Sequence, residues 1–523
     1  MSEERLLREA AKRFGQGHVF TFWDELSDPE RGLLLKNLKE VDFENITDLL
    51  QVPEKRSPNI EERLIPPEGD ICGSLVDLRT NDPALLKHYQ RVALKAVHEG
   101  KLAVLLLAGG QGTRLGFHLP KGLFSPDLPS GRSLYQIQAE QLLRVQQLAQ
   151  DEFGSAKPIP WYIMTSEHTE ETTVEFFLSH NCFGHSPQNI IFFEQFTRPA
   201  FDFNGKILLE KKYKLSTAPD GNGGLYRALR QRHILEDMEA RGVEYIQIYC
   251  VDNILVKLPD LDFVGFCLER SSDCAAEVVQ KLEPTEPIGV VGMVDGRYRV
   301  VEYSEISRET AALRCSSNST DEPQTVLENG TDQQPRLVYS HGNICVHFLT
   351  RQFLHRVCQP EPLSTLKYHV AKKKVPYMNL VTGQQVIPTE ANGIKFEQFV
   401  FDVFPFAENF AIWEVPRNER FSPLKNGPTA STDCPKTSRA DYLAYHASLA
   451  LAAGASLSAD NGCENGNENG DGREAIIEIS PLVSYAGENL ECLKGKRLKG
   501  VNLLELDRES NQPVLKQLIM NQT

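Results

Sequence analysis

Positive charge is in short supply in this chain: 56 Lys and Arg face 71 Asp and Glu, leaving a formal net charge of -15. That excludes a nucleic-acid coat, because phosphate backbones are held by clustered cations; any phosphate bound here must be bound locally. The longest cluster, Lys372-Lys373-Lys374, reads as a solvated surface patch. No apolar run approaches the roughly 18 residues of a membrane span, and no apolar leader follows Met1-Ser2-Glu3-Glu4-Arg5. The 11 cysteines include no Cys-x-x-Cys pair, which excludes a zinc knuckle and a redox motif of that type. Their odd number points to reduced thiols in a cytoplasmic protein, so the sequon-like triplets at Asn45, Asn318 and Asn329 are expected to stay unglycosylated. None of the 13 histidines has a partner at metal-ligand spacing. Neither Ser166 nor any cysteine sits in a nucleophile elbow.

What is present is the composition of a soluble globular protein, 41% hydrophobic and 24% charged. At 523 residues it exceeds the size of one growing core, so more than one domain is expected. Residues 1–98 read as a helical N-terminal region, with apolar positions at helical spacing (Leu6, Leu7, Ala10, Ala11, Phe14) and a further helix from Leu85 to Glu99. From 99 to 415 strand-like and helical runs alternate: Ala103–Leu107, helix Leu134–Ala149, Trp161–Met164, helix Glu170–Ser179, Ile190–Phe193, helix Leu225–Glu239 and strand Tyr245–Val251. Such alternation is the pattern of an α/β domain with a mostly parallel sheet. Residues 416–523 form a C-terminal domain, β-rich around 475–483 and 498–504. The polar segments 315–335 and 458–473 lack apolar periodicity and read as surface loops.

Three motifs carry chemistry. The first runs from Ala103 to Lys121, an apolar run followed by four glycines within eight positions, then Arg114, Pro120 and Lys121. It fails as a Walker A loop, because the order is Lys121-Gly122, and as a dinucleotide fingerprint, because Leu115 occupies the third glycine place. Glycines that admit a close backbone approach, followed by two cations, suit a polyphosphate whose charge is neutralised during transfer; a tight turn with surface cations is the plainer account. The second, Pro219-Asp220-Gly221-Asn222-Gly223-Gly224, precedes a helical run and has room for a flat ring or a sugar. An ordinary turn explains it equally well. In the third, Tyr249-Cys250-Val251-Asp252-Asn253, a strand ends in an acid that would suit Mg²⁺ against phosphate oxygens, or a plain capping role.

Together with Val301–Ile306, Asn392–Lys395 and Phe421–Asn426, these blocks resemble the eukaryotic UDP-N-acetylhexosamine pyrophosphorylases, which are UTP:N-acetylglucosamine-1-phosphate uridylyltransferases. The family's Leu-x-x-Gly-x-Gly-Thr-x-x-Gly-x-x-x-Pro-Lys signature appears as Leu107, Gly110, Gly112, Thr113, Gly116, Pro120 and Lys121. The resemblance implies a Rossmann-like, GT-A-like nucleotidyltransferase domain with a mixed, mostly parallel sheet. It implies that Leu107, Ala108, Gly109 and Gly110 cradle UTP, that Gln195 and Gly221 read uracil, and that Lys121 and Lys395 contact phosphates. Asp252 would hold Mg²⁺ and Arg114 would neutralise departing pyrophosphate. Asn222, Glu302 and Tyr303 would meet the amino sugar, Asn343 its N-acetyl arm, and Lys425 the sugar phosphate; Arg114, Lys121 and Lys425 would be the catalytic cations. The implied partners are UTP and an N-acetylhexosamine 1-phosphate, with neither nucleic acid nor membrane; a homodimer is admitted.

The chain departs from the family at Ser340-His341-Gly342-Asn343, where relatives have Asn-Ala-Gly-Asn, leaving N-acetylglucosamine and N-acetylgalactosamine phosphates both open. The alternatives are a uridylyltransferase for another sugar 1-phosphate, such as glucose 1-phosphate, and an idle relative that binds UDP-sugars.

Overall fold

A strand buried along its whole length lies near the middle of the molecule. The computed structural model describes residues 2–44, 46, 60–315, 335–458, 475–507 and 509–518. Asn45, Asn318, Asn329 and nearly all of the two polar segments lie outside them. All six side chains of Leu102–Leu107 are buried, each such burial being worth about 1.5–3 kcal/mol for a large aliphatic group. The strand lacks polar alternation because both its faces are covered.

Tyr245–Cys250 and Trp161–Thr165 flank it in parallel, and Ile190–Glu194 extends the sheet beyond Trp161–Thr165. On the other side the order continues through His341–Thr350, Cys274–Gln280, Phe410–Val415 and Cys72–Ser74. His341–Thr350 runs antiparallel to both its neighbours, whereas Cys274–Gln280, Phe410–Val415 and Cys72–Ser74 are mutually parallel. The sheet is therefore mixed and mostly parallel, with the reversed strand His341–Thr350 at its centre. The beginning of that reversed strand lies at the edge where its neighbours end. A register shift beside Val278 bulges the reversed strand at Ile344 and Cys345, and bulges re-aim side chains.

Helices cover both faces. Leu134–Phe153 starts where the Ser133 hydroxyl accepts from the Gln136 N–H and ends at Gly154 in the left-handed region; such an N-cap contributes about 1 kcal/mol. Pro83–Glu99 is capped by Asp82 and packs on Leu261–Glu269. The expected helix Leu225–Glu239 is two, Leu225–Gln231 and Ile234–Ala240, because His233 between them adopts φ 58°. The expected strands and helices elsewhere in this series are present, with ends moved by up to four residues.

The N-terminal helices Glu3–Arg13 and Asp28–Lys39 share a core with Phe201, Ile207, Leu209, Leu215 and Phe396. Residues 60–74, read with the helical start, add two short strands to the central sheet. At the other end, Ile476–Ile479, Val501–Leu506 and an unanticipated Pro513–Leu518 make a three-stranded sheet. That sheet is tied to the main body by buried Arg132, which meets Glu140 at 2.9 Å and Glu505 at 3.1 Å. A cation withdrawn from water is tolerated only with such partners. Among the described residues no helix is long and apolar enough to cross a membrane.

Candidate active site

At the end of Leu102–Leu107 the chain passes straight into the glycine loop. The Ala108 N–H donates to the Met164 carbonyl at 2.8 Å, and the Ser166 hydroxyl donates to the Gly109 carbonyl at 2.9 Å. Ser166 is thus a brace for the loop. Gln195 follows Ile190–Glu194 and packs so closely that a Cβ at position 109 would lie 2.5 Å from its Nε2. Gln195 and Gly221 were expected together; Gln195 is held against Gly109, and Gly221 is in the neighbouring turn.

That turn is built around a buried acid. Asp220 is fully buried, and burial pushes its carboxyl up to about 6 against the pull of Arg198 and Arg227. Gly221 has φ 86°, and a Cβ at Gly224 would fall 1.9 Å from Asp220 Oδ1. Only glycine fits at either place. The Gly223 N–H donates to the Gln398 carbonyl at 2.8 Å, and Asn222 Oδ1 accepts from the Val400 N–H at 3.0 Å. Asn222 is thereby joined to the segment after Gly393–Glu397, the strand that carries Lys395. Burial holds the Lys395 ammonium below the ordinary lysine range.

Asp252 follows Tyr245–Cys250, and its carboxylate lies 3.6 Å from Lys121 Nζ. The Leu424 N–H donates to the Asp252 carbonyl at 2.9 Å, and Asn253 Nδ2 donates to the Arg420 carbonyl at 2.7 Å. These bonds stitch the Phe421–Lys425 strip beside the acid. The strip is anchored by Arg420, only 3% exposed, on Asp260 and Asp262. Leu115, Ile254 and Leu424 share one apolar cluster, so the neighbours of Arg114, Asp252 and Lys425 are drawn together by burial. A Cβ at Gly427 would lie 3.2 Å from the Arg114 carbonyl.

On the opposite wall, burial and Glu305 raise the Glu302 carboxyl above its usual range, while His369 and Lys425 pull it back. Asn343, early in the reversed strand, has its Oδ1 3.0 Å from His347 Nε2. Burial depresses His347 to about 3, leaving a neutral ring that donates through Nε2 to Asn343. Ser340 and His341 have other partners: the Ser340 hydroxyl accepts from Arg336 Nε at 2.7 Å, and His341 lies 3.9 Å from Glu414. Tyr303 is 53% exposed, and no hydrogen bond joins it to the other named residues. Sequence reasoning missed Asp220, His347 and Gln398. Asp220 stood within a quoted motif, but nothing local signals that it is buried, and His347 meets Asn343 only through strand geometry.

Could a divalent cation be held here? Among the described residues no three His, Cys, Asp or Glu side chains cluster as a complete cage. A single half-buried carboxylate, Asp252, at a strand end suits Mg²⁺, which takes one or two protein carboxylates and fills its shell with water and phosphate oxygens.

A phosphate-type loop and an acid that follow adjacent parallel strands and meet through a Lys121–Asp252 ion pair define a nucleotidyltransferase. Residues 77–430 match the family model described as UTP–glucose-1-phosphate uridylyltransferase, and the chain belongs to that family. It is 46% identical to the human UDP-N-acetylhexosamine pyrophosphorylase-like protein 1, over 99% of this chain and 100% of that one. It is 40% identical to Arabidopsis thaliana UDP-N-acetylglucosamine diphosphorylase 2, over 94% of this chain and 92% of that one. The solved uridine diphosphate N-acetylglucosamine pyrophosphorylase of Trypanosoma brucei superposes with a TM-score of 0.76 at 28% identity, covering 94% of this chain and 95% of that one.

Proposed function

We propose that this enzyme transfers the uridylyl group of UTP to an N-acetylhexosamine 1-phosphate, giving UDP-N-acetylglucosamine, or its galactose epimer, and pyrophosphate. The observation that carries this reading is that the Lys121 loop, Asp252 and the Lys425 strip are tied together at the strand ends, while Asn222 and Asn343 are both in contact with Cys345, whose sulfur meets Cys250 of the strand that leads to Asp252. It takes place in the cytoplasm, in keeping with the ten described cysteines, all carried as free thiols.

Leu107 to Gly110 present backbone groups to the nucleotide, with Gln195 and Gly221 on the uracil. Lys121 and Asp252 form a partly exposed ion pair of small net value and exchange it cheaply for ligand. Lys121 and Lys395 then take phosphate oxygens, and Arg114 lies toward the departing end of the triphosphate. Asp252 would hold Mg²⁺, which when bound supplies positive charge against the phosphates. Asn222, Glu302 and Tyr303 meet the sugar, Asn343 its N-acetyl group, and Lys425 the phosphate of the acceptor. An oxygen of that phosphate attacks the α-phosphorus in line; the bond from the α-phosphorus to the bridging oxygen breaks and pyrophosphate leaves. The attacking group is already an anion, so positioning and charge neutralisation suffice and no general base is required.

Pyrophosphate release from UTP, Mg²⁺ and a panel of sugar 1-phosphates tests the reading. Release with N-acetylglucosamine 1-phosphate is expected; its absence, or a preference for glucose 1-phosphate, overturns it.

A further inference from the structure

Two thiols meet at the base of the pocket. Cys250 ends the strand Tyr245–Cys250, and Cys345 lies in the bulge of the reversed strand, two residues beyond Asn343. The two strands pair from Tyr245 with Thr350 to Ile248 with His347, and the two cysteines lie just beyond that last pair. Their Sγ atoms are 3.0 Å apart, about 1 Å more than a disulfide bond of about 2.05 Å.

Cys345 is also in touch with the sugar wall. It adopts φ 59°, a rare state for a residue with a side chain, and its N–H donates to Asn343 Oδ1 at 3.3 Å. Its sulfur lies 4.0 Å from Asn222 Nδ2. Both cysteines are half-buried rather than sealed.

We propose that Cys250 and Cys345 are an oxidation site, closed to an intrachain disulfide by a hydroperoxide, and that closure disables the sugar pocket. Cys345, the sulfur beside Asn222, attacks the distal peroxide oxygen. The O–O bond breaks, the sulfur becomes a sulfenic acid, and the alcohol, or water from hydrogen peroxide, leaves with the Cys345 proton. The Cys250 sulfur then attacks the Cys345 sulfur; the S–O bond breaks and water leaves with the second thiol proton. The cysteine pair loses two electrons and the peroxide gains them. Closing the sulfurs from 3.0 Å to a bond length of about 2.05 Å shifts the Cys345 sulfur that touches Asn222 and loads the bulge whose N–H meets Asn343, and misplacement of about 1 Å in such a site can lower turnover ~10²-fold. The effect on turnover rests on the function proposed above; the disulfide does not.

The test uses the full chain. Protein treated with hydrogen peroxide is blocked with N-ethylmaleimide, digested without reductant and mapped by mass spectrometry. A linked peptide pair containing Cys250 and Cys345, released by dithiothreitol, is expected. With it should come a fall of about tenfold or more in kcat/KM for N-acetylglucosamine 1-phosphate, restored by dithiothreitol. Cys345→Ala protein, compared with its own untreated form, should keep its rate after peroxide, and Cys250→Ser protein should give no dithiothreitol-released link at Cys345. Maleimide on both cysteines after peroxide, or links confined to other cysteines, would refute the site; loss of activity persisting in Cys345→Ala would refute the coupling. A reduced protein without uridylyltransferase activity would sink the function alone, because the peptide map still judges the disulfide.

Discussion

The proposed nucleotide side and the proposed sugar side of the site are built in different ways. On the nucleotide side one continuous stretch, Leu107 to Lys121, supplies the loop and two cations, and its side chains are partly open: Lys121 is 16% exposed. On the proposed sugar side Asn222, Glu302, Asn343 and Lys425 come from four separate segments, and three of these stand beside a polar group that water cannot reach. Asn222 follows buried Asp220, Asn343 is oriented by neutral His347, and the Lys425 strip hangs on buried Arg420. A continuous loop places its groups by local geometry, whereas a dispersed pocket needs rigid tertiary support. Damage to the first should therefore read out as lost chemistry, and damage to the second as lost fit.

Several substitutions can break that contrast. Lys121→Ala should lower kcat by about two orders of magnitude or more, the usual consequence of removing a charge partner of the transition state, while thermal stability stays close to the parent's. Near-normal turnover would reduce the loop to scaffold. Gly224→Ala forces a methyl group against the Asp220 carboxyl and should cost several kcal/mol, on the order of the 1–3 kcal/mol of overpacking plus strain; a chemical denaturation midpoint equal to the parent's would show that the turn yields. His347→Gln keeps a donor near Asn343 whereas His347→Ala does not, so KM for the sugar phosphate should rise about tenfold in the alanine protein and less in the glutamine one, roughly the 1–1.5 kcal/mol of one lost hydrogen bond. Equal KM values in both would dismiss the positioning role.

A different readout concerns pH. Burial holds His341, His347 and His446 at about 3, against an unfolded value near 6.5. Between these limits the unfolded chain binds protons that the native protein refuses. The stability contributed by the three rings is therefore present above about pH 6.5 and is lost as pH falls toward 3. The melting temperature should drop between pH 7 and 5, with a shallower slope in His347→Gln, measured by calorimetry; identical slopes would mean that His347 takes a proton in the native state.

The central parallel strands were legible because a fully covered strand lacks polar residues, as Ala103 to Leu107 does. The break at His233 was not, since no residue there opposes a helix and only packing demands φ 58°. Likewise the glycine loop announces itself by spacing alone, and the Asp252 strand end by an acid after an apolar run. That the segments carrying Arg114, Asp252 and Lys425 pack together follows from the burial of Leu115, Ile254 and Leu424 in one cluster, which no local pattern records.

By itself the sequence determined the phosphate-type loop, the acid that follows a strand and the alternation that makes an α/β sheet, because each depends on residues within one turn or one strand. The reversal of His341–Thr350 was decided only in three dimensions. It brings Asn343 and Cys345 to the edge where Leu107 and Cys250 end, since a strand running against its neighbours offers its beginning where they offer their ends. The sugar wall and the thiol pair both exist for that reason, and pairing across a sheet is fixed by the whole chain's packing rather than by any short stretch of it.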